Sequence, residues 1–391
     1  MNKIVEPPTL TRLDHWLQRI EQHLADQITT PFAIRLWTGR TYRFGVGAPE
    51  SIIEVKNNRG LIALSRLDEL AVCEAYMQGN LDVSGDMLAF VGLRGLLRDY
   101  HPLHTLGRRL LPWFIGREQT DRLAIAAHYD FSNDFYLSFM DPTRCYSQAV
   151  FARDDEPLVD AQRRKLDFAI ESCNLKAGER VLDVGGGWGA FTEHAGKRGI
   201  HVTSLTISRE SERYLADLIQ RLELPCRVVN QDFLEYAPPE PYDAIVILGV
   251  MEHLPDYPAV LAQFQRLLKP GGRVYLDASA FHEKYSKPTF ISQYIFPGDH
   301  AYFCLHTFLA DAAKTRMEVL TVYNDRHNYF LTCKAWAQNL DLARDEIVRR
   351  WGETLYRRFR LFLWGSAHAF LYQSMSAYRV VLEFGAGKSH I

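Results

Sequence analysis

At 391 residues, with 47% hydrophobic and 24% charged residues, the chain has the make-up of a soluble globular protein of two domains, not of a disordered or fibrous one. A formal net charge of −2 offers no general basic field, so nucleic acid is not an expected partner. Six cysteines without CxxC spacing argue against a metal centre or a disulfide framework; the lack of an apolar run of about 18 residues or a signal-peptide core predicts a cytoplasmic protein.

In chain order, residues 1–115 read as a small α+β domain. Thr11–Ala25 carries apolar residues at helical spacing, and Ala33–Phe44 alternates around a Thr-Gly-Arg turn, which predicts a hairpin. Ser51–Lys56 alternates again, and helices are expected over Leu61–Met77 and Met87–Tyr100. Apolar helices here make a homodimer plausible. Leu93–Arg122 mixes Arg94, Arg98, Arg108, Arg109 and Arg117 with leucines, Trp113 and Phe114, and Pro102 and Pro112 break helix there. It is either a surface for anionic lipid or an interdomain connector with solvated arginines.

Residues 116–391 read as a cofactor domain. Val181–Gly189, VLDVGGGWG, spells a buried strand that ends on Asp183 and enters a turn with Gly185, Gly187 and Gly189. Glycines in such a turn let the backbone approach a nucleotide-like ligand. The alternatives are a tight turn without ligand, or a dinucleotide site, but the latter needs GxGxxG and the spacing here is GxGxG. Further short strands follow: His201–Leu205 before Thr206, Arg227–Asn230 before Gln231 and Asp232, Tyr242–Leu248 before Gly249–His253, and Arg273–Asp277 after LLKPGG. Alternation with helical stretches predicts a doubly wound, mostly parallel, Rossmann-like sheet whose ligand lies at the strands' carboxyl ends. Asp345–Phe384 carries an aromatic-rich helical pattern.

The order of these signals resembles class I S-adenosylmethionine-dependent methyltransferases. More specifically, His128–Tyr136 (HYDFSNDFY), Met140-Asp141-Pro142, Tyr146-Ser147, Gln162–Leu166 (QRRKL), Met251-Glu252-His253, Tyr294–Gly298 (YIFPG) and Ala335-Trp336 resemble the cyclopropane fatty acid synthase family over residues 120–384. Val55–Asn57 and Glu74–Gly79 resemble the N-terminal domain of its phospholipid-acting members. The resemblance implies S-adenosylmethionine as cofactor and, as acceptor, a cis double bond in an unsaturated phospholipid acyl chain, reached from the inner face of the membrane. It further implies that Tyr146, Ser147, Gly185 and Gly187 line the methionine end, with Thr206 near the ribose and Asp232 near the adenine, and Asp183 and Gln231 are further candidates for cofactor binding. Ser211 stands where the family carries a ribose-binding Gln, and Gly186, in place of a Cys, is expected only to loosen the turn.

Methyl transfer to an alkene leaves a carbocation, so a dry slot lined by aromatic faces is expected, with Phe290, Tyr294, Phe296, Tyr302, Phe303 and the aromatic tail as wall or as ordinary core. A base then removes a proton. The family holds bicarbonate for this; by the resemblance this chain keeps Glu252 and Tyr329 but has Gln148 in place of a Cys and Asp277 in place of a His. Asp277 next to Glu252 disfavours an anion between them, so either carboxylate is a candidate base directly, and Asp277 is alternatively a helix cap. The altered pocket shifts the expected product from a ring toward a methyl-branched or methylene-bearing chain. Methylation of a soluble small molecule and a non-catalytic lipid-binding relic are the competing readings.

Overall fold

The computed structural model describes residues 28–99, 133–296 and 300–385. The expected helix Thr11–Ala25, the stretch from Tyr100 to Ser132 with most of the basic-aromatic segment, and Pro297-Gly298 lie outside the described residues. The chain divides into two compact units, one comprising residues 1–101 and 348–368, the other residues 102–347 and 369–391.

The first unit holds a four-stranded sheet of order β2-β1-β3-β4, made by β1 (Phe32–Leu36), β2 (Thr41–Phe44), β3 (Ser51–Val55) and β4 (Leu81–Gly85). The hairpin forms as the alternation predicts, with Phe32 opposite Phe44. The single helix expected over Leu61–Met77 is two: α1 (Asn58–Ser65) and α2 (Glu69–Met77). Leu67 takes a left-handed φ of 50°, and Asp68 then caps α2 by accepting from the Ala71 amide. A short α3 (Met87–Gly92) follows, capped by Asp86. Within this unit Arg357 donates to the carbonyls of Tyr76 and Leu81, both at 3.0 Å, and pairs with Asp82 and Glu353. A piece of chain far along the sequence thus closes the N-terminal sheet.

The second unit runs α4 (Asn133–Leu137), α5 (Leu158–Ser172), β5 (Arg180–Val184), α6 (Ala190–Gly196), β6 (His201–Thr206), α7 (Arg209–Arg221), β7 (Arg227–Asn230), β8 (Tyr242–Leu248), α8 (Tyr257–Leu267), β9 (Leu268–Ala280), α9 (Leu305–Ala312), β10 (Met317–Asn324), α10 (Arg326–Leu342), α11 (Arg344–Trp351), α12 (Glu353–Leu371) and β11 (Ser376–Phe384), the part of α11 and α12 over Val348–His368 belonging to the first unit. Its sheet has the order β10-β11-β9-β8-β5-β6-β7, parallel from β9 to β7. β5 has β6 on one side and β8 on the other, so the chain reverses direction of travel there and opens a crevice at the strand tips. Alternate residues feed two cores. Leu182, Ile245, Val274 and Leu276 meet α8, while Val181, Ala244, Val246 and Tyr275 meet α5 and α6. Burial on both faces explains why Tyr242–Leu248 reads as a nearly continuous apolar run.

The helical pattern assigned to Asp345–Phe384 holds only to Leu371. Ser376–Phe384 is β11, antiparallel to both β9 and β10, where the β-branched pair Val380-Val381 is buried on opposite faces of the sheet. Among the described residues no helix is long and apolar enough to cross a membrane.

Candidate active site

The turn after β5 carries φ values of +76°, +49° and +76° at Gly185, Gly187 and Gly189. A Cβ at Gly187 would meet nothing closer than a carbonyl oxygen at 3.8 Å, so glycine is set there by backbone conformation beside open space, as a ligand cradle requires. Gly186 corrects an expectation. A Cβ there would fall 2.3 Å from Ser204 Oγ, so this glycine makes room for the hydroxyl and does not merely loosen the turn. Ser204 Oγ in turn donates to Asp183 Oδ2 at 2.7 Å, as does Thr192 Oγ1 at 3.0 Å. Burial lifts the Asp183 pKa to about 6 against the pull of those two hydroxyls.

Other residues expected at the cofactor follow the strand tips, and each spends a polar group inside the protein. Ser211 Oγ donates to the Gly187 carbonyl at 2.7 Å, so the short side chain ties α7 to the glycine turn. Thr206 Oγ1 accepts from the Ser208 amide, and its carbonyl accepts from the Gln231 amide. Gln231 is exposed and donates to the Glu235 carbonyl; Asp232 Oδ1 accepts from the Leu234 amide at 2.7 Å.

The residues expected to do chemistry converge more tightly. Ser147, Gln148, Glu252 and Asp277 are all buried, at the segment before α5 and the tips of β8 and β9. Glu252 Oε1 accepts from both the amide and the hydroxyl of Ser279 at 2.7 Å, while Oε2 is buried with no partner among the described residues. Burial raises its pKa to about 7, partly offset by Ser279. Gln148 Nε2 donates to the Tyr378 carbonyl, and its Oε1 is also buried without a partner.

Lys165 lies in the Gln162–Leu166 motif, to which sequence reasoning assigned no role. On the buried stripe of α5, its ammonium is 0% exposed, 2.6 Å from Ser147 Oγ, 2.8 Å from Cys145 Sγ and 3.5 Å from Asp277 Oδ2. Burial opposes its charge, but Asp277 and Cys145 outweigh that and hold its pKa above the ordinary value; burial raises that of Asp277. Lys165 opposite compensates part of the negative charge that Asp277 adds beside Glu252, and the remainder still raises the Glu252 pKa. A lysine among Ala161, Leu166 and Ala169 at helical spacing was the available signal.

Aromatic rings enclose Tyr146. Tyr136, Trp188 and Trp336 have ring centroids at 5.5, 5.9 and 5.1 Å, and Tyr329 lies 6.4 Å from Trp336 and stacks on Phe370 at 4.4 Å. Burial pushes the Tyr329 phenol well above its usual range, with the charges of Glu252 and Asp277 adding to it. The wall is therefore built from α4, the glycine turn and α10. Of the aromatic tail, Phe370 joins it, whereas Trp351, Tyr356, Phe359, Phe362 and Trp364 belong to the first unit. Phe303 packs on Tyr257 and Phe308 as ordinary core, and Phe296 stacks on His300 at 4.4 Å.

Comparison with known proteins agrees with this geometry. Residues 117–380 match the family model described as mycolic acid cyclopropane synthetase, and residues 19–93 match a domain family of unknown function. Cyclopropane mycolic acid synthase 3 of Mycobacterium tuberculosis is 31% identical over 63% of this chain and 91% of its own length. The cyclopropane-fatty-acyl-phospholipid synthase of Escherichia coli is 28% identical over 87% of this chain and 89% of its own. The solved cyclopropane synthase MmaA2 from Mycobacterium tuberculosis superposes with a TM-score of 0.62 at 27% identity, covering 67% of this chain and 98% of that one. The chain therefore belongs to the mycolic acid cyclopropane synthetase family and is an S-adenosylmethionine-dependent methyltransferase.

Proposed function

We propose that this enzyme methylates the cis double bond of an unsaturated acyl chain in a membrane phospholipid, with Glu252 Oε2 as the base. The observation that carries the base assignment is a buried carboxylate oxygen without a partner, on a group whose other oxygen is fixed by Ser279. Similarity along 87% of the chain to an enzyme named for fatty-acyl-phospholipid synthesis supports the acceptor, and a peripheral position at the membrane surface follows from that acceptor.

S-adenosylmethionine, when bound, supplies an electrophilic methyl group. The glycine turn and Tyr146 would hold it beside the aromatic wall, and transfer from it would require the reacting atoms to come within roughly 3 to 3.5 Å. Tyr146, Tyr329, Trp188 and Trp336 exclude water and offer ring faces to the cationic carbon, each worth roughly 0.5 to 2 kcal/mol. Glu252 then takes the proton. Bicarbonate stays outside this reading, because Asp277 adds negative charge beside Glu252 and like charge disfavours holding an anion there. Gln148 and Asp277, where resemblance to the ring-forming family implies Cys and His, favour a branched or methylene product.

The test uses labelled cofactor with vesicles of unsaturated phospholipid, followed by mass spectrometry of the acyl chains. Label in the acyl chains supports the reading, and the fragmentation separates ring from branch; label confined to a soluble acceptor overturns it. Glu252→Gln should keep cofactor binding and lose about 10²–10⁴-fold in kcat. Unchanged turnover would remove Glu252 from the mechanism.

A further inference from the structure

Lys165 has no task in the reaction just described, yet its charge is carried fully into the interior beside the site. We propose that Lys165, with Asp277 as its counter-ion, is a positioning residue that fixes the Cys145–Gln148 segment, and Tyr146 with it, against the cofactor cradle. This rests on the reading of that cradle as the S-adenosylmethionine site.

Four contacts from one face of α5 grip this segment on both sides of Tyr146. Lys165 Nζ donates to Ser147 Oγ and Cys145 Sγ, and Gln162 Nε2 donates to the carbonyls of Ser147 at 2.9 Å and Cys145 at 3.4 Å. Beyond the segment lies the β8 turn. Gly249 has φ +65°, a Cβ there would fall 3.0 Å from Ser147 Cβ, and its amide donates to the Asp277 carbonyl at 3.1 Å. Tyr146 is thus set between α5 and the tips of two central strands.

Asp277 is the counter-ion this arrangement needs. Its two oxygens are buried, Lys165 at 3.5 Å faces one of them, and the Ser147 hydroxyl together with the ammonium favours its charged form. Arg379, opposite Asp277 in the β9–β11 register, is paired through Nε with Asp325. An ammonium sealed from water needs a compensating charge, and removing that charge harms the fold more than replacing the whole pair with apolar groups. The last point separates positioning from mere structural support.

The experiment compares the parent with Lys165→Met, with Lys165→Met/Asp277→Leu, and with Ser147→Ala, which leaves the ion pair in place. Each is measured for melting temperature, for cofactor affinity by calorimetry, and for KM and kcat on unsaturated phospholipid vesicles. The expected result is that the double variant regains the melting temperature lost by Lys165→Met while its kcat stays down roughly 10²-fold, the scale of a small misplacement at the reacting centre. Ser147→Ala should show a smaller fall of the same kind, with a melting temperature between those of the parent and Lys165→Met, because the ion pair stays while the ammonium loses one acceptor. Recovery of parental KM and kcat in the double variant would overturn the proposal, as would parental kinetics in Ser147→Ala, which decides alone if the double variant does not fold. A parent that modifies no vesicle lipid would instead overturn the functional reading, and the cofactor titrations would still report on the positioning role.

Discussion

Glu252 joins chemistry to stability, and its pKa of about 7 gives both a sign. In its proposed role as base it must be ionised, so kcat is expected to rise through about pH 7 and level off above it, measured on vesicles under saturating cofactor. As a buried acid whose folded pKa exceeds its ordinary 4.5, it favours the folded state when protonated. That contribution is complete below about pH 4.5 and is lost as pH rises through about 7, amounting to about 3 kcal/mol at most. The urea midpoint of Glu252→Gln should therefore gain on that of the parent between pH 5 and pH 8; a constant difference would contradict the burial argument. Gly186→Ala should cost about 1–3 kcal/mol, read from the same midpoint, because the added carbon displaces the hydroxyl that Asp183 depends on. Glu252 and Asp277 were legible as candidates through the family resemblance, although β9 runs three residues beyond Asp277 to Ala280. The partner of Asp277 was not, because Lys165 sits on a helix more than a hundred residues earlier and no local pattern links the two.

At the scale of elements, the parallel core was legible because each strand is a short apolar run followed by a polar tip, the signature of burial on both faces. β11 was hidden for a different reason. It follows the long helix α12 with only a few residues between, so aromatic periodicity carried the helical reading across the boundary, whereas pairing with β9 and β10 decides the conformation of Ser376–Phe384. The break at Leu67 was likewise masked by helical spacing on both sides. In the first unit the guanidinium of Arg357 satisfies two carbonyls and two carboxylates at once. Arg357→Met is expected to destabilise that unit by about 1–3 kcal/mol, because the Leu81 carbonyl and the Asp82 and Glu353 carboxylates lose this donor while the Tyr76 carbonyl keeps the Gly79 amide, and a two-step thermal melt should show the loss in one step only.

For the whole molecule, a cofactor cradle confined to the second unit predicts how the melt responds to ligand. S-adenosylhomocysteine at a hundredfold excess over its Kd should add about 2.7 kcal/mol to the transition of that unit, a rise of roughly 5 °C or more, and leave the other transition in place. Movement of both by equal amounts would show that the two unfold together. The two-unit division has a further consequence during synthesis, because one unit is assembled from residues 1–101 and 348–368. A ribosome adding about 5–20 residues per second needs roughly 10 to 50 s to travel from the first piece to the second. For that interval the first piece lacks Arg357, the donor to its Tyr76 and Leu81 carbonyls and the partner of Asp82, so it cannot reach its final form until the rest of the chain has been made.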